Sequence, residues 1–308
     1  MPNSIDSKHG SSTQQTAVIV ALLTFGFWGV APVYFKWLDA VDPIVIIAHR
    51  IVWALATLLL FLRLRDGGDF WRRLIIPPRI VAGLLLSGIL VSTNWFIFVW
   101  AVSNGQILET SLGYYINPLV NVLLGMMFLG ERLRPLQWAA VLVAAAGTAW
   151  MAIAVGELPW PALALAFSFG FYGLVRKKLP VGPLVGLTWE TALLLPVAVV
   201  LLVIADQWAF QGISLADRWL LFGTGLVTIL PLVGFAFAAQ RLSLSIIGFF
   251  QYLAPSISFL IAVFVYNEPL GQAKLMAFVA IWFALVMYTF SEWQGRRRKI
   301  IVGLEVPR

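Results

Sequence analysis

Runs of about twenty apolar residues, separated by short clusters of charge, follow one another along the whole chain. A helix rising roughly 1.5 Å per residue needs about 20 such residues to cross a hydrocarbon layer about 30 Å thick. Only helices and closed barrels satisfy their backbone in that layer, and the apolar runs here are continuous, so each predicts a membrane-spanning helix. The pattern places spans at 16–37, 43–62, 79–100, 106–129 and 135–154 in the first half of the chain. The second half gives 160–176, 184–205, 218–239, 243–266 and 273–291. The opening residues 1–15 are polar, and the run after them is too long for the core of a signal peptide and shows no cleavage site, so the first span is expected to stay.

Composition agrees, because 61% hydrophobic and 11% charged residues, with a mean hydropathy of +0.90, leave too few polar groups to coat a soluble globule. The basic residues then set the orientation, since Lys and Arg collect in loops that stay cytoplasmic. With both termini inside, seventeen fall on inner segments, among them Arg72, Arg73, Arg134, Arg176, Lys177, Lys178 and Arg296, against three outside, Lys36, Arg218 and Lys274. A net charge of +7 is therefore read as topology and contact with anionic lipid, and no nucleic acid is expected. The chain has no cysteine, hence no disulfide and no thiolate metal site.

Shifting the sequence by 137 residues lays Ala101 on Ala238, Tyr115 on Tyr252, Pro118 on Pro255, Leu123 on Leu260, Glu131 on Glu268 and Leu133 on Leu270. A shift of 144 lays Gly26-Phe27-Trp28-Gly29 on Gly170-Phe171-Tyr172-Gly173. The two halves thus read as repeats, and an odd number of spans in each makes them inverted. The expected organisation is a polar cytoplasmic tail (1–15), a first five-helix repeat (16–154), a second (155–291) and a basic cytoplasmic tail (292–308). Inverted repeats give a physical route to alternating access around a midplane site.

The strings GFWGVAPVYFK, AHRIVW, NWFIFVWAV, LETSLGYYINPLVNVLLGMMFLGERL, FSFGFYGLVRKK and GFFQYLAPSISFLIAVFVYNEP resemble the RarD family of EamA-type permeases in the drug/metabolite transporter superfamily. The resemblance covers nearly the whole chain, in order. It implies an all-α integral membrane protein of ten transmembrane helices, built as two inverted five-helix repeats in the bacterial inner membrane. The family name reflects an association with chloramphenicol sensitivity, which does not identify a physiological substrate.

Polar residues inside apolar spans are costly and so point to function. His49 and Arg50 stand some 9–10 Å inside the outer end of the second span, at roughly 1.5 Å per residue, and Glu190 as far inside the inner end of the seventh. Arg50 offers forked hydrogen bonds to an anionic or carbonyl-bearing solute. Glu190 offers substrate contact or proton coupling. The competing reading has both side chains reaching back to the interfaces with their stems covering apolar surface, and His49 making a packing hydrogen bond. Pro118 and Pro255 remove a donor within their helices and free the carbonyls of Tyr114 and Gln251, so Asn94, Tyr115, Asn117 and Tyr252 are candidates to line one cavity, or the prolines serve only as kinks. Trp28 and Tyr172 lie deeper than the interfacial tryptophans and are candidate substrate contacts; Gly26, Gly29, Gly170 and Gly173 are expected to allow close helix contact.

An enzyme finds little support, with no phosphate loop, no paired metal-ligand histidines and no glycine-flanked nucleophilic serine. A channel would need a continuous polar stripe or charge rings, for which the intramembrane polar residues are too sparse. The expectation is a secondary transporter, an exporter of small organic metabolites or drug-like solutes, with a channel or facilitator lacking ion coupling as the alternative. Its partners are the solute and membrane lipid, a homodimer is compatible with this reading, and neither a cofactor nor a metal is expected.

Overall fold

The computed structural model describes residues 4–129, 133–206, 212–239 and 250–305, and every regular element among them is helical. Ten principal helices follow in order: α1 (Ser4–Lys36), α2 (Pro43–Asp66), α3 (Pro78–Ser103), α4 (Ile107–Leu129), α5 (Pro135–Val155), α6 (Trp160–Lys178), α7 (Pro183–Ile204), α8 (Leu215–Ala239), α9 (Leu253–Phe264) and α10 (Gln272–Glu305). Eight of these are long and apolar enough to cross a membrane. The other two are α6, whose uncharged run stops at Val175 before Arg176, Lys177 and Lys178, and α9, whose 12 described residues are apolar but short. The expected ninth span began at 243, and 240–249 lie outside the described residues.

Local chemistry sets the helix ends. Proline stands in the first turn of α2, α3, α5, α6 and α7, where its missing N–H would have had no intrahelical partner anyway. Asp42 adds a cap to α2, its carboxylate accepting from the Ile44 N–H at 2.7 Å. Gly156 closes α5 in the left-handed region, with φ +78°. The helices overrun the expected spans at both chain ends, α1 starting within the polar tail and α10 running through the basic one. Once a helix is nucleated inside the membrane, each further residue adds a backbone bond at little cost, so the polar boundary does not stop it.

Packing follows the repeat. Each of α2, α4 and α5 packs on its counterpart five helices later, α7, α9 and α10. Helix α1 lies on α8 and α9 as α6 lies on α3 and α4, and α2 lies on α8 as α7 lies on α3. Exchanging the halves maps this set of contacts onto itself, as two inverted copies require. The crossings use small residues: a Cβ on Gly88 of α3 would sit 3.3 Å from the Glu190 carbonyl oxygen of α7, and one on Gly225 of α8 would sit 2.4 Å from the Trp53 carbonyl oxygen of α2. These glycines coincide at the shift of 137. Among the four glycines expected at close contacts, Gly29 meets Ile257 and Gly170 meets Val120, Gly173 has only a loose neighbour, and nothing lies near Gly26.

The exchange fails in one respect. Helix α3 also packs on α1, α2 and α4, and several of the contacts lie toward the end that holds Lys36 and Ser103; Lys36 Nζ donates to the Ser103 carbonyl at 3.3 Å, and the Phe35 and Phe98 rings meet at 5.8 Å. Among the described residues, α8 does not pack in the same way on α6, α7 or α9. These contacts close the bundle at the Lys36 end, and their equivalents at the Lys178 end are not found among the described residues, which leave out 240–249 after α8. Large apolar side chains such as Leu23, Leu60, Ile153, Ile204 and Val286 stay exposed, as a lipid-facing surface requires.

Candidate functional site

Arg50 and Glu190 occupy matching places in the two halves. Each stands seven residues beyond the proline that opens its helix, Pro43 for α2 and Pro183 for α7, so each lies about 10 Å along its helix from opposite ends of the bundle. Each also bonds a hydroxyl on a helix of the other half. Arg50 Nε donates to Thr228 Oγ1 of α8 at 2.9 Å, and Ser87 Oγ of α3 donates to Glu190 Oε1 at 2.6 Å.

The electrostatic surroundings of the two differ. Glu190 is 0% exposed and faces the Arg176 guanidinium of α6 at 3.5 Å, with Tyr172 beside it. Arg176, a loop cation by sequence, folds back over Gly186, where a Cβ would collide with its guanidinium. The position of Gly186, one turn before Glu190, was the available signal. Arg50 is 8% exposed, and among the described residues no carboxylate pairs with it. Its guanidinium lies 4.2 Å from the Trp95 ring centroid and 5.2 Å from that of Phe35, an arrangement that favours a cation. Neither charge reaches back to an interface. His49, the residue before Arg50, is buried in α2.

The remaining candidates do not converge on one cavity. Asn94 Nδ2 donates to the Leu165 carbonyl and Ser168 Oγ of α6, both at 3.0 Å, while Tyr114 donates to its Oδ1 at 3.3 Å. Asn117 Nδ2 donates to the Ala166 carbonyl at 3.0 Å, and Asn121 donates back to Asn117 Oδ1. Both asparagines are thus committed to fastening α3 and α4 onto the α6 backbone. Tyr115 bonds the Ser256 hydroxyl at 2.6 Å and stacks on Tyr252, against Phe278 and Trp282. Pro118 lies inside α4, and Pro255 follows Tyr252, which keeps helical angles (φ −75°, ψ −13°) between helical residues 251 and 253, so what stands there is a local break in hydrogen bonding of the kind a proline without an N–H makes. Gln251 immediately precedes that break and is half-buried. Trp28 packs with Phe25 and Phe235 between α1 and α8, apart from the Arg50 group.

A separate carboxylate closes the Lys36 end. Glu268, in the loop before α10, accepts from the Ile107 and Leu108 N–H groups at 2.6 and 2.8 Å and so caps α4. Burial pushes its carboxyl above the usual 4.5, against the pull of those two N–H groups and of Lys274 and Lys36. Its repeat counterpart, Glu131, lies outside the described residues.

Comparison with known proteins matches residues 15–153 to the EamA-like transporter family. The chain is 46% identical to an uncharacterized transporter of Pseudomonas aeruginosa, over 91% of this chain and 95% of that one. It is 43% identical to the protein RarD of Escherichia coli, over 91% and 96%, and 31% identical to the chloramphenicol-sensitive protein RarD of Pseudomonas aeruginosa, over 91% and 94%. A crystal structure of a protein 20% identical superposes with a TM-score of 0.59, covering 89% of this chain and 98% of that one, a likeness of fold. With the helical bundle and its lipid-facing surface, these relationships place the chain among the RarD proteins of the EamA-like transporter family.

Proposed function

We propose that this transporter is an alternating-access carrier of small organic solutes, in which the units 16–154 and 155–291 rock against each other. The observation that supports this most directly is that the contacts between the two units, α2 with α7, α4 with α9 and α5 with α10, are exchangeable between halves. Interchanging the roles of the halves would open the Lys36 end and close the Lys178 end with similar contacts, which is the energetic near-degeneracy that inverted repeats provide. Under the orientation set by the basic residues, the Lys178 end faces the cytoplasm, and the direction proposed is export. Glu190 is proposed as the proton-carrying group, since its carboxylate is held by Ser87 from the other half and would be regrouped by the same motion.

The absence of native cysteine makes the test direct. Glu109→Cys with Lys274→Cys, a pair whose native side chains meet at 3.3 Å across the two units, bridged by a short bifunctional thiol reagent in proteoliposomes, should halt counterflow, and reduction of the bridge should restore it. A bridged carrier that exchanges solute at the full rate would overturn the rocking motion.

A further inference from the structure

We propose that the Arg50 guanidinium is the seat for the carboxylate of an organic anion, so that the solute carried is a flat monoanion. This rests on the carrier reading above and narrows its substrate class.

The argument starts from the matched positions. Glu190 has a cation of its own at 3.5 Å and a hydroxyl at 2.6 Å, so that half neutralises its buried charge internally. Arg50 sits equally deep in its helix and, among the described residues, the partners it bonds or stacks on are neutral. The Thr228 hydroxyl, which takes Nε, donates in turn to the Thr224 carbonyl at 2.8 Å. Tyr34 donates to the Leu220 carbonyl and Tyr114 to Asn94 Oδ1, so neither hydroxyl proton is left for an incoming oxygen. Trp95 and Phe35 supply ring faces. A guanidinium in the hydrocarbon layer without a counter-ion is costly, and the described residues supply none.

The geometry also says which part of the side chain is offered. Thr228 fixes Nε, and the hydroxyl that accepts it is itself held by its bond to α8, so the plane of the guanidinium is set. The two terminal nitrogens make no hydrogen bond among the described residues, and together they form the fork that matches the two oxygens of a carboxylate. A single cation between aromatic faces suits a monoanion with a flat apolar body. Inorganic phosphate, with a second charge and more oxygens to satisfy, would call for further donors. Anion binding would also bear on the rocking motion, because the Arg50–Thr228 bond ties α2 of one half to α8 of the other.

The test uses the purified full chain and a series of monocarboxylates, namely acetate, benzoate, phenylacetate and indole-3-acetate, each beside its primary amide, with inorganic phosphate as a further arm. Thermal unfolding and tryptophan emission report binding, and Trp95→Phe shows what part of the emission change comes from Trp95 among the chain's fourteen tryptophans. At least one carboxylate should raise the unfolding temperature at a concentration where its amide, at tenfold excess, does not; Arg50→Gln should erase that difference. Arg50→Lys, which keeps the charge without the fork, should retain the preference at reduced affinity. Should Arg50→Gln fail to fold, Thr228→Val removes the tether alone and should weaken carboxylate binding by about tenfold, the equivalent of one charge-assisted hydrogen bond, with no effect on amides. The inference is overturned if no carboxylate is distinguished from its amide, if phosphate alone binds, or if Arg50→Gln keeps the preference. Counterflow separates the two readings: a neutral solute exchanged equally by wild type and Arg50→Gln ends the anion site and leaves the carrier standing, whereas chemical conversion of solutes with no exchange of any ends both.

Discussion

Replacing Gly225 by Ala tests the helix crossing on which the two-fold packing depends. The new Cβ would lie 2.4 Å from the Trp53 carbonyl oxygen, 2.7 Å from its carbonyl carbon and 2.7 Å from Thr57 Oγ1, where ordinary contact begins at 3.4 Å. Two of those atoms are backbone, so no change of rotamer relieves the clash, and α8 must withdraw from α2 by about 1 Å. Overpacking of this kind costs about 1–3 kcal/mol, set against up to about 1 kcal/mol gained from the better helix propensity of Ala. Gly26→Ala is the control, because nothing lies within 4 Å of its Cβ and only the propensity gain should remain. Reversible unfolding in mixed micelles with rising dodecyl sulfate should therefore place Gly225→Ala about 1–3 kcal/mol below Gly26→Ala. Gly88→Ala, at 3.3 Å from the Glu190 carbonyl oxygen, should fall between them. Equal stability of Gly225→Ala and Gly26→Ala would refute the reasoning. So would a loss in Gly225→Ala that Thr57→Ala recovers fully, since that would locate the clash in a side chain.

Glu190→Gln removes the transferable proton but keeps an oxygen able to accept from Ser87; counterflow should persist while accumulation driven by a pH gradient disappears, and an unchanged pH dependence would remove Glu190 from the coupling. Glu268 gives a pH signature in stability. Because its folded carboxyl titrates above 4.5, its contribution to stability is fullest below pH 4.5 and is lost as pH rises through the raised value, so the unfolding temperature of wild type relative to Glu268→Gln should fall across that window. A difference that stays flat, or that rises with pH, would show that the two N–H donors of α4 outweigh the burial.

Much of this protein is local in origin, and that part was readable. Apolar runs of membrane-spanning length, prolines at helix starts and glycine after α5 follow from near neighbours in sequence, so helices α1 to α8 and α10 begin within a few residues of expectation except in the polar tail. The EamA-type resemblance rested on ordered strings and held across the chain. The prominence of Arg50 and Glu190 was also legible, because charge inside an apolar run stands out wherever it points. What surrounds each charge was not. Arg176 read as one of three loop cations, since nothing in a stretch ending Arg176-Lys177-Lys178 says which side chain turns inward. Asn94 and Asn117 read as cavity lining, since an amide that lines a cavity and one that clamps a neighbouring backbone look alike in one dimension.

The sequence alone determined that the chain lives in lipid, that it is helical and that one charge, Arg50 or Glu190, stands deep in each of two apolar runs. The tertiary structure decided that α3 contacts close the Lys36 end, that Arg176 compensates Glu190 and that, among the described residues, no carboxylate compensates Arg50. The division has one physical cause. Hydrophobic periodicity and helix-end chemistry act over a few residues along the chain, whereas the partner of a buried charge is chosen by helix rotation and crossing distance, fixed at contacts such as Gly88–Glu190 and Gly225–Trp53 between residues more than a hundred positions apart.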